Sequence, residues 1–245
     1  MYMKGLAGNA KDGLYFDDLS FAFTAAHELK APLALIRQLA LSLEDGTGDA
    51  NDKERMLRQI TLTAERSLRL TENLTRSARL DDSLFTLEPL NPQQLLEEVA
   101  HEFTPLYKAK DREIRVSSRF RPMLVVANRD LLHRILANFT DNALHYSGDT
   151  MPVELYAGKR ESGARVRVGV RDYGPAVPSK LWKNLEANLG KTRQALHMRP
   201  QSSGLGLFVA GRFADAMNGT IGAVRHRDGA TFYVDMDASR QMTLL

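Results

Sequence analysis

The sequence predicts an α+β protein of two domains, a helical hairpin followed by an α/β sandwich. Heptad-spaced apolar residues run through two segments before residue 80, and short alternating strands mixed with helices follow residue 84. The chain has 245 residues, 43% of them hydrophobic, and is long enough to bury an ordinary core. We therefore expect an N-terminal tail or linker remnant over residues 1–14, the hairpin over 15–82 and the sandwich over 83–240.

The first helix of the hairpin is predicted from Asp17 to Glu44, a segment with no glycine and one proline. Its apolar residues alternate three and four positions apart, which is the spacing of a helix seam that packs against other helices. This pattern predicts a long helix with one apolar edge. The seam residues are Leu19, Ala22, Ala26, Leu29, Leu33, Ile36, Ala40 and Leu43.

A turn rich in glycine and short polar residues precedes the second helix, which is predicted from Asp52 to Leu80. Its seam includes Ser67 and Thr71, which bury little apolar area, so a lone hairpin would be marginal. Pairing of two copies into a four-helix bundle gives each seam more partners, and we expect a homodimer. The seam residues are Leu57, Ile60, Ala64, Ser67, Thr71, Leu74 and Ala78.

The second domain mixes helices with short strands. Asn91 and Pro92 are typical of a helix start, and Asp228-Gly229 is typical of a hairpin turn. The predicted helices run from Asn91 to Tyr107, Arg129 to Tyr146 and Gly204 to Met217. The predicted strands are Glu113–Ser118, Met123–Val126, Val153–Ala157, Arg165–Val170, Thr220–Arg225 and Thr231–Met236.

Bulk properties argue against several classes of protein. No stretch approaches the roughly 18 uncharged apolar residues of a membrane span, and the N-terminus lacks the apolar core of a signal peptide. The sequence has no cysteine, which excludes disulfides and thiolate metal sites. The net charge of +3 is spread over interleaved acidic and basic residues, so no nucleic-acid partner is expected. We expect a cytoplasmic chain without direct membrane contact.

The segment FTAAHELKAPLALI carries the first candidate for chemistry. His27 lies one position past the seam residue Ala26, a rotation of about 100 degrees that puts its ring at the flank of the seam. Neutral imidazole is a competent nucleophile, and Glu28 can hold or accept its other ring proton. Pro32 would bend the helix just beyond. The alternative is an ordinary surface histidine followed by an incidental kink.

This segment resembles the H-box of HisKA-type histidine kinases, which reads His-Glu-Leu-Arg-Thr-Pro-Leu. The matching residues are His27, Glu28, Leu29, Pro32 and Leu33. The resemblance implies that His27 accepts a phosphoryl group and that Glu28 assists as a catalytic residue. Where the family has Thr or Asn to position a hydrolytic water, this sequence has Ala31, which cannot form a side-chain hydrogen bond. Weak phosphatase activity is expected.

The second candidate site begins with Asn138 and Asn142, which lie one turn apart on a single helix face. Their amide oxygens suit a Mg²⁺ ion that keeps several waters and bridges ATP phosphates. The alternative is a pair of exposed helix asparagines. The segment resembles the N-box of the GHKL ATP-binding fold, and this implies ATP binding by Asn138, Asn142, His145 and Tyr146. His145 stands where the family usually has lysine.

Two glycine-containing segments complete this resemblance. Asp172 and Gly174 resemble the G1 box, in which the carboxylate accepts a hydrogen bond from the adenine amine, although Ala176 replaces a second glycine. If position 176 needs a positive φ, alanine costs about 1 kcal/mol there. A later segment opens a helix whose N-terminus suits phosphate and resembles the G2 box, although Ser202 replaces another glycine. Its predicted ATP-binding residues are Gly204, Leu205, Gly206 and Leu207.

About thirty residues between these two boxes resemble the family's mobile ATP lid. Trp182 is a candidate for the lid's aromatic residue. The basic side chains could neutralise phosphates on closure, and the alternative is a solvated loop. These basic residues are Lys191, Arg193, His197 and Arg199.

The resemblance covers residues from about 15 to 237 and implies a sensor histidine kinase core that uses ATP and Mg²⁺. ATP would phosphorylate His27, and the phosphoryl group would pass to an aspartate of a response-regulator receiver domain. The chain could then be the cytoplasmic part of a membrane-anchored sensor. An alternative is a degenerate phosphotransferase or adaptor that relays phosphate without ATP, which Ala176, Ser202 and His145 keep open. A GHKL ATPase or protein-serine kinase would have no use for the His27 helix.

Overall fold

The computed structural model describes the chain in eight stretches, and the remaining residues are outside the description. The described residues are 26, 29–46, 49–78, 85–117, 123–148, 151–160, 163–190 and 205–240. The predictions for His27, Glu28, Ser202 and Gly204, and for the basic residues of the lid, therefore lie outside the described residues.

The N-terminal part consists of two helices, α1 over residues 29–44 and α2 over Ala50–Ala78. The turn after α1 contains Gly46, whose φ of +67° is a conformation that glycine adopts without strain. Asp49 begins α2 by accepting a hydrogen bond from the backbone N–H of Asp52 at 2.8 Å. Both predicted helices are present over their described residues, and α2 starts two residues earlier than the sequence pattern indicated. The part of the first helix predicted before Leu29 lies outside the described residues, except for Ala26.

The seam of α2 has different environments along its length. Leu57 is 56% exposed, whereas Leu74 is 7% exposed and belongs to the hydrophobic core of the second domain. Ser67 is buried too, and its hydroxyl donates to the backbone oxygen of Thr63 within the helix. The C-terminal half of the α2 seam thus packs against the second domain of the same chain. The four-helix bundle remains a prediction.

The second domain is a mixed α+β structure whose main sheet has the strand order β2-β4-β5-β7-β6. Strands β2 and β4 are parallel, the other neighbours are antiparallel, and β1 pairs with β3 separately. The strands are β1 Glu88–Leu90, β2 Ile114–Val116, β3 Val125–Ala127, β4 Val153–Arg160, β5 Arg165–Arg171, β6 Thr220–His226 and β7 Gly229–Asp237. The helices are α3 Pro92–Lys108, α4 Arg129–Tyr146, α5 Ser179–Asn188 and α6 Leu205–Ala216.

The core lies between this sheet and helices α3, α4 and α6. Strand β5 illustrates how the sheet contributes to this core. Val166, Val168 and Val170 point inward and are buried, whereas three arginines occupy the outward positions. Each outward arginine pairs with an aspartate of β7 or of the hairpin before it. The alternating RVRVGVR pattern of residues 165–171 therefore reflects the two faces of one strand.

Two elements were absent from the sequence-based prediction. The short strand β1 has only three residues, and α5 lies in the segment interpreted as part of a lid. Trp182 and Leu185 of α5 form a small separate cluster with Ala230 of β7. No helix among the described residues has the length and apolar character needed to cross a membrane.

Candidate nucleotide-binding site

Helix α4 presents one face to the core and another to the candidate site. The side chain of Asn128 begins the helix by accepting a hydrogen bond from the N–H of Leu131 at 3.1 Å. Ile135, Leu136 and Phe139 are buried in the core. The polar residues spaced three and four apart therefore form one stripe on the opposite side, which consists of Asp130, Arg134, Asn138, Asp141 and His145.

Asn138 contacts the start of α6. Its side-chain Nδ2 donates to the backbone oxygen of Gly206 at 3.3 Å. A Cβ built on Gly206 would lie 3.7 Å from Asn138 Oδ1, so the helix backbone and the amide are in close contact. Two segments that are separated by more than sixty residues are thus brought together, as expected for the phosphate end of one site.

The side chains of Leu205 and Leu207, two of the predicted ATP-binding residues, point into the core. Leu205 is 0% and Leu207 7% exposed, and both belong to the hydrophobic core. They anchor the first turn of α6, and a nucleotide could meet only their backbone. Burial of these leucines is what holds the N-terminus of α6 beside Asn138.

Asp172 is a buried carboxylate at the end of β5. It is 5% exposed, and its Oδ1 accepts a hydrogen bond from the N–H of Ala230 at 3.1 Å. Its backbone N–H donates to the oxygen of Ala230 at 2.9 Å. Burial raises the pKa of Asp172 to about 6, while the bond from Ala230 and the charge of Arg171 act in the opposite direction. The remaining carboxylate oxygen can accept from a ligand.

Gly174 touches the C-terminal end of α4. A Cβ at this position would lie 2.1 Å from the backbone oxygen of Tyr146, so a side chain has no room. A backbone hydrogen bond lies beside this contact: the N–H of Gly148, two residues after α4, donates to the backbone oxygen of Tyr173 at 2.7 Å. The segment that contains Asp172 and Gly174 therefore also contacts α4, and it does so through its backbone.

The conditional cost predicted for Ala176 does not arise. Among the described residues, the non-glycine ones with positive φ are Asp111 and Asn218, so Ala176 has an ordinary backbone conformation. Replacement of the second glycine of this segment is therefore compatible with the local backbone.

Gly229 was missed as a site residue. Its φ is +129°, and a Cβ there would lie 2.3 Å from the backbone oxygen of Asp172 and 2.7 Å from its Oδ1. Gly229 and Ala230 thus form the support for Asp172 from the neighbouring strand. The Asp228-Gly229 dipeptide predicted the turn, but the contact with Asp172 depends on strand pairing that spacing does not reveal.

His145 is neutral and fully engaged. Its Nδ1 lies 2.7 Å from the backbone oxygen of Asp141, which can only accept, so Nδ1 carries the proton. Its Nε2 lies 3.1 Å from Nη1 of Arg66, which can only donate. Burial lowers the pKa of His145, and the charge of Arg66 lowers it further, whereas Asp141 opposes the shift. Arg66 belongs to α2 and was not among the predicted site residues.

Comparison with known proteins matches the second domain to one family model. Residues 127–240 match the family described as histidine kinase-, DNA gyrase B-, and HSP90-like ATPases. These residues contain the whole of α4, the Asp172 segment and α6. The mixed α+β fold with an ATP-binding sheet of the GHKL type is therefore confirmed.

Similarity to individual proteins extends over most of the chain. The sensor protein KdpD of Mycobacterium tuberculosis is 31% identical over 245 residues, which are 95% of this chain and 27% of that protein. The histidine protein kinase SaeS of Staphylococcus epidermidis is 24% identical over 89% of this chain and 60% of its own length. The chain thus spans between about a quarter and three fifths of these two relatives.

Solved structures show the same relationship. Full-length ShkA in complex with AMPPNP superposes with a TM-score of 0.59 and 25% identity, covering 91% of this chain and 47% of that chain. The histidine kinase AdeS of Acinetobacter baumannii shares the fold with a TM-score of 0.60 over 86% of this chain. These similarities support the catalytic core of a histidine kinase and confirm the resemblance seen in the sequence motifs.

Proposed function

We propose that this chain phosphorylates its own His27 with ATP and then transfers the phosphoryl group to an aspartate of a response-regulator receiver domain. The observation that carries the proposal is the convergence of two separated segments on α4. Asn138 contacts Gly206 of α6, and the C-terminal end of α4 contacts Gly174 next to Asp172. Such a convergence supports a single nucleotide site bounded by α4, α6 and the end of β5.

The adenine end of the proposed site is at Asp172. Ala230 donates to one carboxylate oxygen, which fixes the side chain and leaves the other oxygen for the exocyclic amine of adenine. Gly174 lets the Asp172 segment pack against the backbone of Tyr146, the last residue of α4, which brings both beside the carboxylate. We assign base recognition to Asp172 and Gly174 and include Tyr146 in the lining of the site.

The phosphate end of the proposed site is at Asn138, Asn142 and the start of α6. The positive end of a helix dipole favours negative charge, so the first turn of α6 suits phosphate. The amide oxygens of Asn138 and Asn142 are hard ligands of the kind Mg²⁺ prefers, and these residues fit a magnesium ion shared with the nucleotide. When bound, the metal would neutralise charge on the phosphates. Leu205 and Leu207 would contribute through their backbone only.

The transfer itself uses His27. The lone pair of Nε2 forms a bond to the γ-phosphorus, and the bond from that phosphorus to the oxygen of the leaving ADP breaks. Glu28 holds or accepts the proton of Nδ1, which keeps the attacking nitrogen nucleophilic. In the second step a carboxylate oxygen of the receiver aspartate bonds to phosphorus, and the bond to Nε2 breaks. Catalysis is mainly positioning, because the chemistry needs in-line alignment.

The reverse hydrolysis should be weak. Ala31 is exposed on α1 and offers no side-chain group to orient a water molecule. We expect this chain, with ADP present, to dephosphorylate a loaded receiver domain more slowly than its Ala31→Thr variant. Equal rates would contradict the proposed role of this position.

We further propose that the active form is a homodimer through the hairpin and that the chain works in the cytoplasm. Leu33 and Leu57, which belong to the predicted seams, are 57% and 56% exposed in the single chain. Their burial against a second copy would complete the four-helix bundle. Receiver docking beside His27 would then use the outer surface of that bundle.

The proposal is tested with purified protein, labelled ATP and Mg²⁺. We expect acid-labile, alkali-stable label on the wild type, no label on His27→Ala, and retained label on His101→Ala, which replaces an exposed histidine of α3. Asp172→Asn should lower labelling by weakening nucleotide binding. Absence of nucleotide binding, with phosphate accepted from a phosphorylated receiver, would instead support the relay that does not use ATP.

A further inference from the structure

A directed chain of hydrogen bonds joins helix α2 to the proposed metal ligand. Arg134 Nη1 donates to Asn73 Oδ1 at 2.9 Å, Asn73 Nδ2 donates to Asn138 Oδ1 at 3.2 Å, and Asn138 Nδ2 donates to Gly206 O at 3.3 Å. Arginine can only donate and a backbone carbonyl can only accept, so the two ends fix the orientation of both amides. The oxygen of Asn138 therefore faces Asn73.

A second contact occupies the neighbouring part of the same face of α4. Arg66 of α2 lies 3.1 Å from His145 Nε2 and 3.3 Å from a carboxylate oxygen of Asp141. Because His145 Nδ1 donates to the backbone of Asp141, neither ring nitrogen is left for a phosphate. Two residues assigned to the nucleotide, Asn138 and His145, thus have their ligand atoms engaged by α2.

The attachment of α2 to this domain has an apolar and a polar part. Leu74 is buried in the domain core, and it holds the helix in place. The contacts with α4 are made by polar side chains, including the ion pair of Arg76 with Asp130 at 2.5 Å, in which both side chains are about half exposed. Exposed ion pairs contribute little, so the Arg76–Asp130 pair can be exchanged while Leu74 keeps its place.

We propose that α2 and the magnesium nucleotide compete for the same atoms of α4, and that Asn73 sets the magnesium dependence of nucleotide affinity. The inference rests on the proposed function of α4. The amide oxygen of Asn138 has two lone pairs, so one hydrogen bond does not by itself exclude a metal. The Asn73 amide, however, places partial positive charge at that oxygen, which disfavours a divalent cation there, and Arg134, whose own charge is paired with Asp130 and Glu72, holds the amide in this orientation.

The consequence is a resting state in which Asn73 lowers the affinity for the metal-bound nucleotide and leaves metal-free binding unchanged. A residue that interfered at the adenine end, or a general loss of structure, would change the affinities for metal-bound and metal-free nucleotide together. Magnesium dependence is therefore the property that distinguishes this role from a structural one. Asn73 acts through Asn138 and is a positioning residue.

The test compares the dissociation constant of a fluorescent ATP analogue in Mg²⁺ and in EDTA for the full chain. We expect Asn73→Ala to tighten binding in Mg²⁺ by about two- to tenfold, the effect of one ordinary hydrogen bond, with no change in EDTA. The matched control is Thr75→Ala, an exposed α2 residue whose hydroxyl bonds only within the helix, and it should behave as wild type.

A second measurement keeps the inference testable if Asn73→Ala lowers stability. Amide hydrogen exchange of α2 residues 66–77 in the wild type should rise on adding AMPPNP with Mg²⁺ and stay unchanged with AMPPNP in EDTA. Weaker binding of Asn73→Ala in Mg²⁺, or equal changes in both buffers, would overturn the inference and leave the proposed function intact. A wild type that binds nucleotide in neither buffer would overturn the proposed function as well.

Discussion

The ATP-binding domain and the helical hairpin bury their apolar residues differently. In the domain Phe103, Phe139 and Phe213 are at most 1% exposed. In the hairpin Leu33 and Leu68 are 57% and 64% exposed. The domain therefore completes its core within one chain, whereas the hairpin has apolar surface that a second copy could cover. The two regions should respond differently to the same kind of substitution.

The largest expected difference is between core and exposed side chains. Phe139→Ala removes a large buried ring and should lower the free energy of unfolding by about 3–5 kcal/mol. Leu68→Ala replaces an exposed side chain and should change it by less than about 0.5 kcal/mol in a dilute, monomeric sample. Denaturant unfolding of both variants checks the comparison. Similar losses would mean that Leu68 is already covered, which would break the proposed distinction between the regions.

A smaller effect is expected at Gly229, where the domain holds its candidate site. Gly229→Ala combines a φ of +129° with a Cβ only 2.3 Å from the backbone oxygen of Asp172, so we expect a loss of about 1–3 kcal/mol and weaker nucleotide binding. Gly158→Ala is the matched control because a Cβ there has no atom within 4 Å. Thermal melts and nucleotide titrations of both variants are the measurements. Unchanged binding in Gly229→Ala would show that the hairpin turn does not support the site.

The smallest effect is a pH dependence confined to the ATP-binding domain. Because the pKa of Asp172 is about 6, nucleotide affinity should fall about tenfold for each pH unit below that value, when the carboxylate becomes protonated. Titrations between pH 5 and 8 check this, and Asp172→Asn should show a flat profile. A flat profile for the wild type would mean that the ionised carboxylate does not bind the base.

The raised pKa of Asp172 also affects the stability of the fold, which it lowers at neutral pH, where the carboxylate is ionised. The folded pKa of Asp172 lies above the ordinary value of 3.8, so the folded state binds the proton more tightly than the unfolded state. The resulting stability is present below pH 4 and is lost as the pH rises through about 6. Asp172→Asn should therefore melt at a higher temperature than the wild type at pH 7.5 and at a similar temperature at pH 4. The site keeps an ionised carboxylate at the expense of stability.

Prediction from the sequence was accurate where a local pattern was long or chemically specific. The heptad spacing located α1 and α2, and the Asn128 and Asn91 caps placed α4 and α3 to within a residue or two. Prediction from the sequence failed for β1, because three residues are too few for an alternation to be visible. It also missed α5, because an expected lid was assigned to that segment.

The candidate site was predicted as a set of segments, and its contacts were not. Asn138, Asp172 and Gly206 were each found from their own motif, but the bond between Asn138 and Gly206 depends on how α4 and α6 pack. The requirement for glycine at 174 comes from the carbonyl of Tyr146, which is 28 positions away in sequence. Arg66 and Asn73 carried no signal, since both look like ordinary polar residues of a solvated helix.

The sequence by itself determined the class of protein, because four motifs in a fixed order specify residue types that chemistry requires. Tertiary structure alone decided which atoms those residues offer. The orientation of the Asn138 amide and the tautomer of His145 are fixed by Asn73 and Arg66 of another helix. Hydrogen bonds act over about 3 Å between groups distant in sequence, so only the packing of α2 against α4 could establish them.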